Sequence, residues 1–519
     1  MNKGAQEDGK AADRQQAQAY PPLTGLPLAV ITFALPLAAF MQVLDTTIAN
    51  VAVPTIAGNL GASATQGTWA ITSYAITNAI FLPISGWLAR RFGEVRVFSS
   101  AAALFGLSSL LCGMATTLEF LVAFRVVQGA VAAPMLPLAQ SLLLNNYPAH
   151  KRYMAIACWS MTVSVAPICG PIIGGWISDN CYWGWIFYIN VPVAALVVFL
   201  AWSILGRRET VRVKRPVSYV GLSLLVIGMG SLQIMLDRGK ELDWFNSNTV
   251  VTLAVISLVA LTFLVIWELT DENPVVDLRM FASRNFAVTV LCATPCLMAF
   301  FGTTVLLPLL LQTQFGYTAT LAGLAAAPVG LLQIVLLPLY GRYAKHFDLR
   351  VLITGSFLVF GACMYTRTWF SPDMDIWFVL TPQFAQGLAN MLFFPSVIAL
   401  AFSTLRPDQI ARGASLYYCC HTTAAAIGSS VVVTMWERRA AIHHTRLAEH
   451  IDIYNPIARE ALETLRHIGM DELQSAKRLA MEINRQGFIL AANEIYWGCM
   501  LLFLALIAVI WTAKPVKQA

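Results

Sequence analysis

The sequence predicts an all-α membrane protein: 14 transmembrane helices arranged as two six-helix bundles, with two further helices inserted between them. Three observations lead there: an apolar composition, the number of long apolar runs, and an internal repeat whose offset leaves two spans over. Of 519 residues, 57% are hydrophobic and 12% are charged, about half the ~25% charged content of soluble domains. Such a chain has too much apolar surface for a water-soluble fold. One bilayer crossing takes about 20 apolar residues, so 14 crossings need roughly 280, and the length accommodates them.

Apolar runs fall at 26–47, 68–89, 97–116, 120–144, 154–178, 184–205, 217–236, 249–268, 286–312, 320–341, 351–369, 377–403, 413–436 and 493–513. The connections after spans 2, 4, 6, 10 and 12 hold Arg90, Arg91 and Arg96; Lys151 and Arg152; Arg207, Arg208, Arg212, Lys214 and Arg215; Arg342, Lys345 and Arg350; and Arg406 and Arg412. Those after spans 1, 3, 5 and 9 hold no Lys or Arg. By the excess of basic residues on the cytoplasmic side, both termini are cytoplasmic. Residues 1–22 are polar, without a signal-peptide pattern. The long connection 437–491 mixes basic and acidic residues, and its apolar positions between Ile457 and Ile483 have helical spacing broken at Gly469. It reads as a helical hairpin on the outer face.

The repeat fixes the plan. Pro83-x-x-Gly86-x-x-Ala89-x-x-Phe92 recurs as Pro338-x-x-Gly341-x-x-Ala344-x-x-Phe347, and Gln128-Gly129 recurs as Gln386-Gly387 at nearly the same offset, with Gln383 where the first copy has Arg125. The offset equals eight spans, so a six-span unit repeats around two inserted spans. The division is a tail (1–25), a first bundle (26–206), two inserted helices (207–275), a second bundle containing the 437–491 hairpin (276–513) and a tail (514–519). A parallel repeat of this kind places a transport site near the midplane between bundles.

Several function classes have no residues to rest on. The net charge of +6 is dispersed over short connections rather than gathered in a nucleic-acid-binding patch. The ten cysteines lack CxxC spacing, and nine of them sit inside apolar runs, so they read as small buried residues without a metal or redox role. There is no HExxH, no GxSxG and no Gly-rich GK[ST] loop, so zinc hydrolysis, esterase chemistry and ATP-driven pumping are excluded. No catalytic residue, metal or cofactor is expected.

Asp45 and Arg125 are the ionisable residues well inside spans of the first bundle. Burying such a group in hydrocarbon costs at least ~2.5 kcal/mol, which makes each a functional candidate. Asp45 comes late in an outward-running span 1 and Arg125 about five residues into span 4, so at 1.5 Å per residue both are expected within about 10 Å of the outer end. Thr46 and Asn50 flank the acid, and Gln128 lies one turn beyond Arg125. A pathway lined by Tyr74, Phe187, Gln312, Gln383 and Gln386, with Thr46, Asn50, Gln128 and His421 as further candidates, carries few charges and suits large apolar molecules with a polar or weakly acidic group. Gly170, Pro171, Gly174 and Gly175 form a small-residue seam in which Pro171 lacks a backbone donor.

Motifs recur in order along the chain. Leu44-Asp45-Thr46-Thr47-Ile48-Ala49-Asn50-Val51-Ala52-Val53-Pro54 opens the series. Gly86-Trp87-Leu88-Ala89-Arg90-Arg91-Phe92-Gly93 and Arg125-x-x-Gln128-Gly129 come next. Gly170-Pro171-Ile172-Ile173-Gly174-Gly175 and Trp183-Gly184-Trp185-Ile186-Phe187-Tyr188-Ile189-Asn190-Val191-Pro192 follow, and Ala492-Asn493-Glu494-Ile495-Tyr496-Trp497 stands near the end. From span 1 to span 14 this series resembles the major facilitator superfamily, in its branch of 14-span drug:proton antiporters belonging to tripartite efflux systems.

The resemblance implies proton-driven export of hydrophobic toxic compounds across a bacterial inner membrane, coupled through Asp45. It also implies handover to a periplasmic adaptor, for which the 437–491 hairpin is the candidate contact, and to an outer-membrane channel. Proton-coupled uptake of a nutrient or siderophore is the alternative, and the Gly170-Pro171 motif, which marks exporters, speaks against it. Two departures stand out. Arg90 occupies a position that is usually acidic in the superfamily's gating motif of Gly86, Arg90, Arg91 and Gly93. In span 13 an expected arginine is missing, and His421 stands in its place, positive only when protonated.

Overall fold

The computed structural model describes residues 20–516 except 63, 149–150, 211, 213–217, 240–241, 272–273, 373, 450 and 452–454. The tail up to residue 19 and the basic residues Lys214 and Arg215 therefore lie outside the described residues. Within them every regular element is helical. In chain order these are α1 (Gly25–Asn59), α2 (Ala64–Gly67), α3 (Trp69–Phe81), α4 (Ser85–Phe92), α5 (Glu94–Gly113), α6 (Leu118–Ala132), α7 (Met135–Asn146), α8 (Arg152–Asn180), α9 (Trp185–Tyr188) and α10 (Asn190–Leu205). Then follow α11 (Tyr219–Arg238), α12 (Asn248–Thr270), α13 (Arg284–Thr313), α14 (Ala319–Ala326), α15 (Pro328–Tyr343), α16 (Leu349–Arg367), α17 (Ile376–Phe402), α18 (Pro407–Glu449), α19 (Pro456–His467) and α20 (Glu472–Ile510).

Thirteen stretches among the described residues are long and apolar enough to cross a bilayer. The remaining predicted span, the second, is the broken one. Its helix α3 stops at Phe81, and Leu82–Ile84 form a turn around Pro83 before α4 begins. A proline inside a helix removes one donor and clashes with the carbonyl four residues back, which accounts for the break. The same chemistry divides span 4 beside Pro134 and span 10 at Pro328.

The sequence repeat has a physical counterpart in packing. A side chain at Gly86 would run into Arg412 at the start of α18, and one at Gly341 would run into Met154 and Ala157 in α8. Each copy of the repeat thus sets its glycine against a helix of the other half. Likewise Gly129 lies against the Tyr74 carbonyl, and Gly387 against the Val329 carbonyl. These pairs are equivalent under the repeat and bring α6 onto α3 and α17 onto α15, because only a residue without Cβ lets the backbones come so close.

The two halves meet at the end that carries the Arg- and Lys-rich connections. Asn145 there donates to the Pro407 carbonyl (3.5 Å), and Trp159 Nε1 donates to the Tyr418 hydroxyl (3.1 Å). An apolar cluster of Ala157, Leu337, Tyr340, Ala344 and Met391 closes the same junction. At the opposite end a second cluster, from Leu44 through Ile56 to Phe187, is built from the first half alone. The structure is joined at the basic end.

Helices α11 and α12 pack on each other, with Ser257 Oγ donating to the Gly228 carbonyl (3.1 Å). Helix α11 bridges the halves: Thr72 on α3 donates to Asp237 (2.8 Å), and Ser430 on α18 donates to the Leu236 carbonyl (2.9 Å). Helix α12 exposes Val255, Leu258, Phe263 and Ile266, as suits a helix facing lipid.

The 437–491 region differs from a separate loop element. Spans 13 and 14 run outward as α18 and α20, and only α19 is added between them. The projecting parts hold together through Arg439–Glu494 (2.7 Å) and through Trp436 Nε1 donating to the Phe488 carbonyl (2.8 Å). Gly469, at φ +94°, makes the turn after α19, and Asp471 opens α20 with a capping box to Gln474. At the basic end Asp348 caps α16 and receives the Arg350 guanidinium (2.7 Å), which holds its carboxyl below the usual range.

Replacing Gly387 by Val, or Gly129 by Val, is expected to lower the thermal midpoint of the purified protein, since overpacking of this kind costs about 1–3 kcal/mol. Gly175→Ala, where a methyl meets open space, is expected to leave the midpoint unchanged. Thermal-shift measurements on the detergent-solubilised variants check both.

Candidate functional site

The two ionisable residues singled out in the first half form one fully buried ion pair. Arg125 Nη1 donates to Asp45 Oδ2 at 2.6 Å, and both side chains are inaccessible to solvent. The other carboxylate oxygen, Oδ1, accepts from Asn190 Nδ2 (2.7 Å) and Gln128 Nε2 (3.2 Å). Arg125 also donates to Gln128 Oε1 (2.8 Å) and, through Nε, to the Ala70 carbonyl (2.9 Å). Ser109 Oγ accepts from both Asn190 (3.0 Å) and Gln128 (3.2 Å), and donates to the Phe187 carbonyl (3.0 Å). The guanidinium lies over the Tyr74 ring (4.2 Å) and beside that of Phe187 (5.6 Å). One charge pair therefore ties α1, α3, α5, α6, α9 and α10 together.

Asp45 lies five residues before the end of the apolar stretch Gly25–Asn50 of α1. The helix continues to Asn59, fourteen residues past Asp45, or about 21 Å at 1.5 Å per residue. Arg125 sits seven residues into α6. Asp45 is thus an interior residue of a long helix rather than one near its end. Helix α8 approaches α1 closely just past Asp45: side chains at Gly170 and Gly174 would meet Thr47 and Ile48. Those two glycines form the predicted seam, and it lies within the first half. Gly175 faces open space, and the Pro171 side chain lies outside the described set.

The remaining predicted residues divide. Thr46 bonds the Gln42 carbonyl and Asn50 is exposed, so in the described geometry Asn190 and Gln128, not these neighbours, hold the carboxylate. Gln312 is exposed at the end of α13 and joins no other predicted residue. Gln383 and Gln386 are buried in the second half, where both accept from the Arg367 guanidinium. His421 packs edge-on against Phe301 (5.4 Å) and beside Tyr417 and Tyr418, and no acidic partner of it appears among the described contacts.

Arg367 escaped the sequence reading. It is buried at the end of α16 beside Tyr496 (ring at 5.8 Å), without a carboxylate partner among the described residues. A signal was present: a basic residue at the predicted outer end of a span runs against the charge bias that oriented the chain. Under the repeat Arg367 falls on the equivalent of α5, whereas Arg125 sits on α6. The second half thus has Gln386 as the counterpart of Gln128, Gln383 in place of Arg125 and its arginine on a different helix, and it lacks the counterpart of Asp45, where Phe300 and Phe301 stand.

Just past the gating motif lies a carboxylate from the connection that ends the first half. Glu209 accepts from the Val95 and Arg96 backbone N–H groups (3.0 and 3.1 Å) at the start of α5, where a carboxylate complements the helix end. Gly93, at φ +97°, leaves the room this carboxylate occupies. Arg91 lies over the Trp87 ring (5.8 Å). Arg90 is half-buried, and Gly86 meets Arg412, which pairs with Asp277.

Removing one member of a buried pair strands a charge and costs about 3–5 kcal/mol. Arg125→Gln is therefore expected to lower the thermal midpoint strongly. The double variant Asp45→Asn, Arg125→Gln is expected to recover much of the loss, and a double-mutant cycle on melting of the purified protein checks the coupling.

The chain matches the Major Facilitator Superfamily over residues 35–429. It is 54% identical over 500 residues to the multidrug export protein EmrB of Haemophilus influenzae, covering 96% of this chain and 98% of that protein. It is 51% identical over 495 residues to EmrB of Escherichia coli K12, covering 95% and 97%. The fatty acid resistance protein FarB of Neisseria gonorrhoeae is 50% identical over 496 residues, covering 96% and 98%. Among solved structures, the proton:xylose symporter XylE aligns with a TM-score of 0.59 at 16% identity, covering 95% of this chain and 98% of that one, a likeness of fold. The broken second span, the twofold repeat of glycine contacts and these identities agree: the chain belongs to the major facilitator superfamily, in its EmrB family.

Proposed function

We propose that this protein exports hydrophobic toxic compounds across the bacterial inner membrane in exchange for protons, by alternating access of a site between its two halves. The buried Asp45–Arg125 pair is the observation that carries the coupling. In the present arrangement the carboxylate accepts from Arg125, Asn190 and Gln128. A proton on Asp45 would set a donor among three donors, so protonation and this packing of α1, α6 and α10 oppose one another. Moving one charge through 100 mV supplies about 2.3 kcal/mol, comparable to one hydrogen bond to a charged group, at about 1.5–3 kcal/mol. The proton gradient can therefore drive the rearrangement, with no cofactor.

The relatives' names support the cargo class, since they speak of multidrug export and of fatty acid resistance. With the basic end cytoplasmic, as the charge bias requires, both termini are inside and the join between the halves closes the inner side. The first-half cluster of Leu44 to Phe187 then borders the outward opening.

The outward projection of α18, α19 and α20 is the surface we assign to a periplasmic adaptor of the EmrA kind, which would lead on to a TolC-like outer-membrane channel. Its tip exposes Ile457 (76%), Ile468 (70%) and Leu473 (76%), large apolar side chains that a contact would cover.

Asp45→Asn is expected to abolish uphill export in inverted vesicles energised with a proton gradient while substrate exchange without a gradient persists. Full coupled export by that variant would remove Asp45 from the mechanism. Shortening the projection to a tight turn between residues 449 and 472 is expected to leave transport in vesicles intact and to abolish co-purification of the adaptor; retained adaptor binding would reassign that surface.

A further inference from the structure

The basic end of the molecule also carries a groove that the export reading does not use. It has a volume of about 750 Å³ and is lined by Leu28, Ala29, Met154 and Pro338, with Lys151, Arg342 and Lys345 at its polar rim. The volume falls in the ~300–1,000 Å³ range of small-molecule sites. Its walls come from both halves, α1 and the start of α8 on one side and α15 on the other. A Thr32–Tyr147 hydroxyl bond (2.8 Å) closes one side.

The charges at the rim are unlike others at the same end. Arg96 is paired with Glu209, Arg350 with Asp348, and Arg412 with Asp277. Lys151, Arg342 and Lys345 have no carboxylate partner among the described residues, no acidic residue lines the groove, and Arg342 is itself set against only the Tyr343 ring (5.7 Å). On α15, Leu331, Val335, Pro338 and Arg342 fall on one helical face by their spacing, and all four are exposed. An apolar track of roughly 16 Å, at 1.5 Å per residue, thus leads from the bilayer interior to three cations at its surface.

The geometry points to a binding site for an anionic phospholipid of the adjoining leaflet, with its phosphate on Lys151, Arg342 and Lys345 and an acyl chain along α15. Basic pockets between transmembrane helices on the cytoplasmic side are suited to such headgroups. A free inorganic anion would gain nothing from the apolar track, and a zwitterionic lipid would gain little from three cations. Because the groove is shared by α1, α8 and α15, a lipid in it touches both halves where they are joined, and so favours the joined arrangement.

The test is lipid retention by the full-length protein, measured by native mass spectrometry in detergent with phosphatidylglycerol or phosphatidylcholine of identical chains. The wild type is expected to retain phosphatidylglycerol preferentially. The triple variant Lys151→Gln, Arg342→Gln, Lys345→Gln is expected to lose that preference by about tenfold, a scale three cations at an anionic headgroup can supply. Arg207→Gln with Arg406→Gln, two exposed basic residues outside the groove, is expected to keep it. Melting curves with added phosphatidylglycerol give a second readout, a stabilisation present in the wild type and absent in the triple variant. The proposal is overturned if the triple variant keeps its preference, if the control pair loses as much, or if inorganic phosphate or a single-chain fatty acid displaces the lipid at equal concentration. Displacement by the fatty acid would identify the groove instead as an entry for amphiphilic cargo.

Discussion

A carboxylate and a guanidinium shut away from water dominate the first half of this protein. Each charge alone would cost several kcal/mol to bury, so the surroundings must satisfy them. Most of this is done by Asn190, Gln128, Ser109 and the Ala70 carbonyl, drawn from helices across the first half, while Arg125 Nη2 has no hydrogen-bond partner among the described residues. The pair is thereby a fastening as well as a candidate proton site. Any event that changes its charge must also change the packing of the helices that hold it, and a transporter needs that link between a proton and a movement.

The twofold repeat explains why the fastening occurs once. Both halves use the same glycine contacts to close-pack equivalent helices, and both bury an arginine, Arg125 against Gln128 and Asp45 and Arg367 against Gln383 and Gln386. Only the first half adds the acid. In the second, Arg367 donates to Gln383 and Gln386 beside Tyr496, and aromatic residues stand where an acid would be. The halves share a scaffold and differ in charge, so the proposed proton site belongs to the first half alone.

Much of this was legible in the chain. Apolar runs located the spans, the 255-residue offset revealed the repeat, and ionisable residues inside apolar runs marked Asp45 and Arg125. What failed depended on partners distant in sequence. Thr47 and Ile48 pack on Gly170 and Gly174, a contact no local pattern carries. Asn190 reads as part of a motif at the start of span 6, and nothing nearby says that its amide reaches span 1. Thr46 and Asn50 lie near the acid in sequence, but residues one and five positions away on a helix do not share its face as those three or four away do. Gln312 falls at the end of α13 and is exposed. Arg367 resembled an ordinary residue at a helix end.

The 437–491 segment, read from its helical spacing as an outer hairpin, is built from extensions of spans 13 and 14 with α19 between them, and the Arg439–Glu494 pair links the two extensions. The central claim is that Asp45 exchanges its proton when the first half rearranges around cargo. Its most direct test is proton release or uptake on binding, recorded with a pH-sensitive dye in weakly buffered detergent solution of the purified protein. The account predicts that adding a transported compound changes the bound protons of the wild type and leaves those of Asp45→Asn unchanged. An equal proton change in both proteins would contradict it.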